Sequence, residues 1–189
     1  MIVALEGLPG AGKTTTAKLL AEQRGGTYVH ESSAKHPFLD VFYRDIERYK
    51  FKTELCFVLL HYHQYRDLRR DSKDLVILDY SPIKDLVFAD LNLSGEDYKL
   101  FSAVYARTSG SLALPDVAVF LDLELAQTLN RIRERGREYE QNIDPEYLNL
   151  LRDAYEARYA QLGSRVERVK VQPDWTREDV SDAVAHAIG

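Results

Sequence analysis

Near the start of the chain, Gly7, Gly12, Lys13 and Thr14 stand at the spacing G-x-x-x-x-G-K-[ST], within the run Gly7-Leu8-Pro9-Gly10-Ala11-Gly12-Lys13-Thr14-Thr15. Residue types in this order suit one task, the holding of a polyphosphate. The glycines let backbone N–H groups converge on phosphate oxygens, and a helix opening at Lys13 aims its positive dipole end at the same anion. Lys13 brings a mobile charge to the β and γ phosphates, and the Thr14 hydroxyl is a ligand for Mg²⁺. An apolar run, Ile2-Val3-Ala4-Leu5, precedes the loop as a strand should. The stretch reads as a P-loop that binds the phosphates of a nucleotide with Mg²⁺, not as a plain glycine turn.

Three further groups have fitting chemistry. Glu31 follows the strand-like Tyr28-Val29-His30, close to where a γ-phosphate would sit. A carboxylate that accepts an alcohol's proton there fixes the nucleophile in line for phosphoryl transfer; otherwise it is a solvated strand end. Asp79 closes Asp74-Leu75-Val76-Ile77-Leu78, an apolar run ending in Asp that would hold Mg²⁺ through water, so it is expected on the metal or the substrate side. Arg131, Arg133, Arg135 and Arg137 place four arginines in seven positions. Arg131 and Arg135 share a helical face, while Gly136 ends the helix and leaves Arg137 beyond it. Mobile arginines closing over a phosphoryl group neutralise charge and exclude water, so residues 131–143 read as a lid. Arg133 alone reads as a solvated cation at a helix end.

The elements that must position these groups alternate along the chain. Strands are expected at Ile2–Leu5, Thr27–His30, Leu75–Leu78, Val117–Leu121 and Val166–Val171, and helices over 13–24, 38–49, 51–70, 83–92, 95–109, 124–135, 145–162 and 176–187. Alternation of this kind predicts an α/β fold in one domain, residues 1–189, with a five-stranded parallel sheet flanked by helices on both faces. Ligands in such folds gather beyond the carboxyl ends of the strands. Asp144-Pro145-Glu146 is a helix opening, and Thr176 with Glu178 and Asp179 a plainer one. Phe57, His61 and Tyr65 recur at helical spacing and read as core or interface packing, whereas His61 and His63, two apart, do not share a face and make no metal pair.

Composition narrows the partners. The chain has 189 residues, 25 Lys and Arg against 30 Asp and Glu, and a formal charge of −5, so no basic field recruits nucleic acid or anionic membrane. A small-molecule partner is expected. Cys56 is the one cysteine, which excludes an internal disulfide and fits a reducing compartment. With a strand from residue 2 there is no room for a leader, and no apolar run approaches the ~18 residues of a membrane span, so a cytoplasmic location is expected.

These residues extend into a family pattern. His36-Pro37-Phe38-Leu39, Phe42-Tyr43, Arg48, Asp79-Tyr80-Ser81-Pro82-Ile83-Lys84-Asp85-Leu86-Val87-Phe88-Ala89, Arg135-Gly136-Arg137 with Glu140, and Pro145-Glu146-Tyr147-Leu148 join the P-loop and Glu31. Over residues 2 to 160 the chain resembles the deoxynucleoside kinases, the group of bacterial deoxyadenosine and deoxyguanosine kinases and animal deoxycytidine kinase. The resemblance implies an ATP- and Mg²⁺-dependent kinase acting on the 5′-hydroxyl of a deoxynucleoside, working as a homodimer. It implies that Glu31 is the base, that Tyr43 and Glu140 hold the 3′-hydroxyl, and that Arg135 and Arg137 reach the phosphates with Arg131 beside the donor's adenine. By the same resemblance Phe88 stacks on the substrate base and Asp85 accepts from its exocyclic amine.

The chain departs from that pattern. The family's Glu-Arg-Ser after the third strand is Asp79-Tyr80-Ser81 here, which removes the arginine that steadies the base and the 5′-oxygen. The family's base-reading glutamine is Glu54, and a nearby arginine or methionine position is His61. An ionised glutamate only accepts, which suits the N1–H and N2–H of guanine and favours a purine, deoxyguanosine above all; alternatively Glu54 pairs with His61. Three other functions stay open: a thymidylate-type monophosphate kinase, which needs an arginine for the acceptor phosphate, a kinase for another small alcohol, and a non-enzymatic nucleotide switch, against which stands the lack of an Asn-Lys-x-Asp motif.

Overall fold

Every residue of Ile2–Glu6 (β1) is buried, as a strand covered on both faces requires. In the computed structural model, which describes residues 1–31, 33, 36–71, 74–112, 114–162 and 166–189, Thr27–Val29 (β2), Val76–Leu78 (β3), Val117–Asp122 (β4) and Val166–Lys170 (β5) join β1 in a five-stranded sheet. The order is β2-β3-β1-β4-β5 and each pairing is parallel. Because β3 lies on one side of β1 and β4 on the other, the loop leaving β1 opens at the point where the strand order reverses, the natural ligand crevice of such a sheet.

Helices cover both faces: Lys13–Arg24 (α1), Leu39–Phe42 (α2), Ile46–Asp71 (α3), Pro82–Asn92 (α4), Gly95–Arg107 (α5), Leu125–Arg135 (α6), Pro145–Leu162 (α7) and Arg177–Ile188 (α8). Alternate β1 side chains feed different layers. Val3 and Leu5 pack with Leu20 of α1 and Val184 of α8, while Ile2 and Ala4 meet Tyr65 of α3 and Tyr80. Phe120 of β4 joins Val87, Leu148 and Tyr155 from α4 and α7. Among the described residues no helix is long and apolar enough to cross a membrane.

The expected strands and most helices are found within two residues of their predicted bounds. The segment from 38 to 71 differs. In place of helices over 38–49 and 51–70 there is a four-residue turn, α2, and then one helix of 26 residues. Asp45 decides the boundary: its Oδ1 accepts from the Arg48 backbone N–H at 3.2 Å, capping α3 five residues before the expected break, and neither Gly nor Pro interrupts the helix from there to Asp71. The helix expected to reach 109 ends at Arg107, followed by a 3₁₀ turn over Ser109–Ser111. Thr176 is more than a plain opening, since its side chain accepts from Asp179 N while Asp179 accepts from Thr176 N, a reciprocal capping box.

Candidate active site

The loop after β1 has its shape from three glycines at positive φ: Gly7 at 140°, Gly10 at 84° and Gly12 at 93°. A Cβ on Gly10 would lie 2.9 Å from the Thr128 carbonyl oxygen and 3.0 Å from Ile132 Cγ1, so α6 seats directly against the loop. Lys13 Nζ donates to the carbonyls of Gly7 (2.8 Å) and Leu8 (2.9 Å), folding over the loop it serves. Burial and the nearby Lys84 lower its pKa to about 8.

Asp79, just past β3, gathers the neighbouring strand ends. Its Oδ1 accepts from the Glu31 backbone N–H at 2.7 Å. Its Oδ2 takes Thr14 Oγ1 (2.6 Å), Tyr28 OH (2.9 Å) and His30 Nδ1 (2.8 Å). The two residues expected at the metal, Thr14 and Asp79, therefore touch, and they offer the hard oxygen donors that Mg²⁺ takes alongside water and phosphate. Among the described residues no three His, Cys, Asp or Glu side chains gather as a metal-binding cluster.

Glu31 faces two cations. Lys84 Nζ, from the first turn of α4, lies 2.5 Å from Glu31 Oε1, and His61 Nε2, from α3, lies 3.4 Å from the same oxygen. Burial acts to raise the Glu31 pKa, yet Lys84 and His61 outweigh it and hold the carboxyl well below the usual carboxylate range. The other His61 nitrogen, Nδ1, is 2.6 Å from Asp85 Oδ1. Burial disfavours the imidazolium, but Asp85 and Glu31 more than compensate and raise His61 to about 9. A buried run of alternating charge, Lys84, Glu31, His61 and Asp85, thus lies along one wall of the site.

Glu54 and His61 do not pair. Glu54 Oε1 accepts from Asn92 Nδ2 at 2.8 Å, and Asn92 Oδ1 accepts from Tyr147 OH at 3.2 Å. Burial pushes the Glu54 carboxyl up to about 8, although Asn92 pulls the other way, so at neutral pH it is mostly the neutral acid. Among the described residues no cation pairs with Glu54, because α3 turns His61 toward Asp85 and Glu31 instead, and this disfavours the ionised form read from the sequence.

The arginine segment folds around Glu140. Gly136, at φ 68°, ends α6, and residues Glu138–Glu140 form a 3₁₀ turn. Glu140, 5% exposed, meets Arg135 at 2.5 Å and Arg137 at 3.3 Å. Tyr43 lies close by, its hydroxyl pKa raised by burial and by Glu140. Arg131 Nη1 approaches the loop at Gly12, 3.5 Å from where a Cβ would stand there, and Arg133 is exposed and donates to Asn130 Oδ1 at 3.4 Å.

One cleft of about 730 Å³ joins these parts. Its lining includes Gly7, Pro9, Gly10, Ala11, Gly12, Lys13, Thr14 and Thr15 at one end, Tyr43, Glu54, Asp85 and Phe88 among others elsewhere, with Glu31, Asp79, Arg131, Arg135, Arg137 and Glu140 also on its walls. Two of the expected residues do not line it. Leu8 packs in the core, presenting only its carbonyl to Lys13, and His61 is buried behind Glu31 and Asp85. Lys84, Phe57, Tyr139 and the Trp175-Thr176-Arg177 turn line the cleft without having been expected there as site residues. Lys84 carried a signal: a lysine in the first turn of a helix opposes the helix dipole and so asks for an anion nearby.

A profile of the deoxynucleoside kinase family matches residues 3–188. Deoxyguanosine kinase of Bacillus subtilis (strain 168) is 33% identical over 166 residues, covering 85% of this chain and 79% of its own length. Deoxyadenosine/deoxycytidine kinase of the same organism is 29% identical over 163 residues, covering 82% and 75%. The solved structure of deoxyadenosine kinase from M. mycoides with bound dATP shares the fold at a TM-score of 0.86, with 21% identity and 100% of each chain covered.

Proposed function

This chain belongs to the deoxynucleoside kinase family of phosphotransferases, and on that footing we propose that it transfers the terminal phosphoryl group of ATP to the 5′-hydroxyl of a purine deoxynucleoside. The observation that supports this most directly is that one cleft is lined both by the Lys13 loop and by Glu31, Tyr43, Glu54, Asp85 and Phe88. Phosphoryl transfer needs positioning and charge stabilisation more than covalent help. Glu31, kept ionised, accepts the proton of the hydroxyl; Lys13, Arg135 and Arg137 neutralise the phosphates; Phe88 stacks on the base; Tyr43 and Glu140 hold the sugar. Thr14 and Asp79 would hold Mg²⁺, which would supply charge stabilisation at the phosphates. Residues 131–143 act as the lid, and two chains pair through helices that include α3, where Leu59 is 49% exposed.

The Glu54 side chain bears on the base. As a neutral acid it both donates and accepts, which serves the N1 and N6–H of adenine; ionised, it only accepts, which serves the N1–H and N2–H of guanine. We read the enzyme as a purine deoxynucleoside kinase that gains preference for deoxyguanosine as the pH rises toward and past about 8. The test is ATP-dependent phosphorylation of the four deoxynucleosides, their ribonucleoside counterparts and dTMP at pH 7 and pH 9. Deoxyguanosine and deoxyadenosine should lead, with the ratio moving toward deoxyguanosine at pH 9. Lys13→Ala and Glu31→Gln should abolish transfer in a protein that still folds; near-normal turnover by either removes its assigned role. Turnover of dTMP alone favours the monophosphate kinase, and ATP binding with no acceptor favours the nucleotide switch.

A further inference from the structure

The family's arginine beside the catalytic carboxylate is replaced by Tyr80, yet the carboxylate is not left without a cation. Tyr80 is fully buried in the layer under α3, its ring stacked on His61 at a centroid distance of 4.6 Å, and its hydroxyl has no hydrogen-bond partner among the described residues. It cannot reach a phosphate or a 5′-oxygen with charge. One turn further on, Lys84 places its ammonium 2.5 Å from Glu31 Oε1 with only 15% of its side chain exposed. Its nitrogen also lies 5.3 Å from the Phe57 ring centroid and 5.5 Å from that of Phe88. A buried ammonium in the first turn of a helix is opposed both by desolvation and by the dipole, so the site exists because Glu31 stabilises it.

We propose that Lys84 is a positioning residue that replaces the missing arginine: by hydrogen-bonding to Glu31 Oε1, with His61 Nε2 at 3.4 Å from the same oxygen, it leaves Glu31 Oε2 as the oxygen that receives the acceptor's 5′-hydroxyl. The geometry carries this, since both cations fall on the same oxygen. A carboxylate clamped at one oxygen cannot rotate freely, and the remaining oxygen is presented to the cleft in a fixed direction. The cation stands on the helix one turn after Tyr80, close to the Phe57 and Phe88 rings. The inference rests on the kinase reading with Glu31 as the base. Besides Lys84 and His61, the charged or titratable groups bearing on Glu31 among the described residues are Lys13 from α1, Tyr28 from β2, His36 from the segment before α2, Tyr43, Tyr80, Tyr155 from α7, Asp85 behind His61, and Asp79, which accepts from the Glu31 backbone.

The experiment compares wild type with Lys84→Gln, which keeps much of the stem and a donor but no charge, and with Lys84→Arg. Two readouts are taken: the carboxyl-carbon NMR titration of Glu31, which needs no substrate, and the pH profile of kcat/KM for the deoxynucleoside that wild type prefers. In Lys84→Gln the Glu31 midpoint and the acid limb of the profile should both move up by about one to three pH units. At pH 7 kcat should fall by about 100-fold with KM for ATP little changed, and Lys84→Arg should restore both titration and turnover toward wild type. A Glu31 midpoint that stays in place in Lys84→Gln overturns the proposal, as does wild-type kcat in that variant. A wild type that phosphorylates no deoxynucleoside overturns the kinase reading instead, and the NMR titration still decides whether Lys84 clamps Glu31.

Discussion

Replacing Glu54 with glutamine should make the protein more stable, by an amount that grows with pH. Glu54 is 1% exposed and its carboxyl is held at about 8 by burial, against 4.5 for the free side chain. The native state binds this proton more tightly than the unfolded chain does. The cost of burying Glu54 is therefore smallest below pH 4.5, grows as pH rises, and levels off above about 8. Between those limits the slope is about 1.4 kcal/mol per pH unit, so at pH 7 the wild type is destabilised by about 3 kcal/mol relative to a side chain that stays neutral. In the Glu54→Gln variant the amide would have nearly the shape of the neutral acid, and its carbonyl can take the hydrogen bond from Asn92 Nδ2. For a chain of this size such a gain corresponds to roughly 10 °C in melting temperature. Thermal and urea unfolding of both proteins from pH 5 to pH 9 reads the effect. The melting temperatures should nearly coincide at pH 5 and diverge toward pH 8. A difference that is the same at pH 5.5 and pH 8 refutes the reasoning, because Glu54 would then not titrate in this interval. The same variant should lose the pH dependence of base preference, since an amide has no proton to release.

Gly10→Ala should lower stability by about 1–3 kcal/mol, because φ at this position is 84° and the new methyl would meet the Thr128 carbonyl at 2.9 Å. Calorimetric titration should also show ATP binding weakened at least ~10-fold, and unchanged affinity in a folded variant would contradict the assigned loop role. Glu140→Gln should leave the melting temperature within a few degrees, since Arg135 is 35% exposed and its ion pair is partly screened by water. Its effect is expected instead in steady-state kinetics, as a KM for the deoxynucleoside raised about 10-fold, because Glu140 both contacts the lid arginines and holds the sugar in the proposed complex.

Local chemistry determined much of this protein. The P-loop is legible because glycine spacing, a lysine and a hydroxyl follow a strand in a fixed order, and each performs its task through neighbours a few residues away. The parallel sheet is legible because a strand buried on both faces must be aliphatic throughout most of its length, as β1 is. Glu31 and Asp79 could be found as strand-end carboxylates, but that Asp79 Oδ1 meets the Glu31 backbone follows from the strand order, which pairs β2 with β3. Only the tertiary structure decided which charge answers which. Glu54 and His61 lie seven residues apart on one helix, and their types invite pairing, yet α4 brings Asp85 to His61 and Asn92 to Glu54. The neutral form of Glu54 and the cationic form of His61 both result from that docking of α3 on α4, while Lys84 of α4 meets Glu31 beyond the end of β2. The physical reason is that burial makes charge expensive unless a partner stands within hydrogen-bond reach, and partners on different elements are chosen by packing, to which the order of residues along the chain is blind.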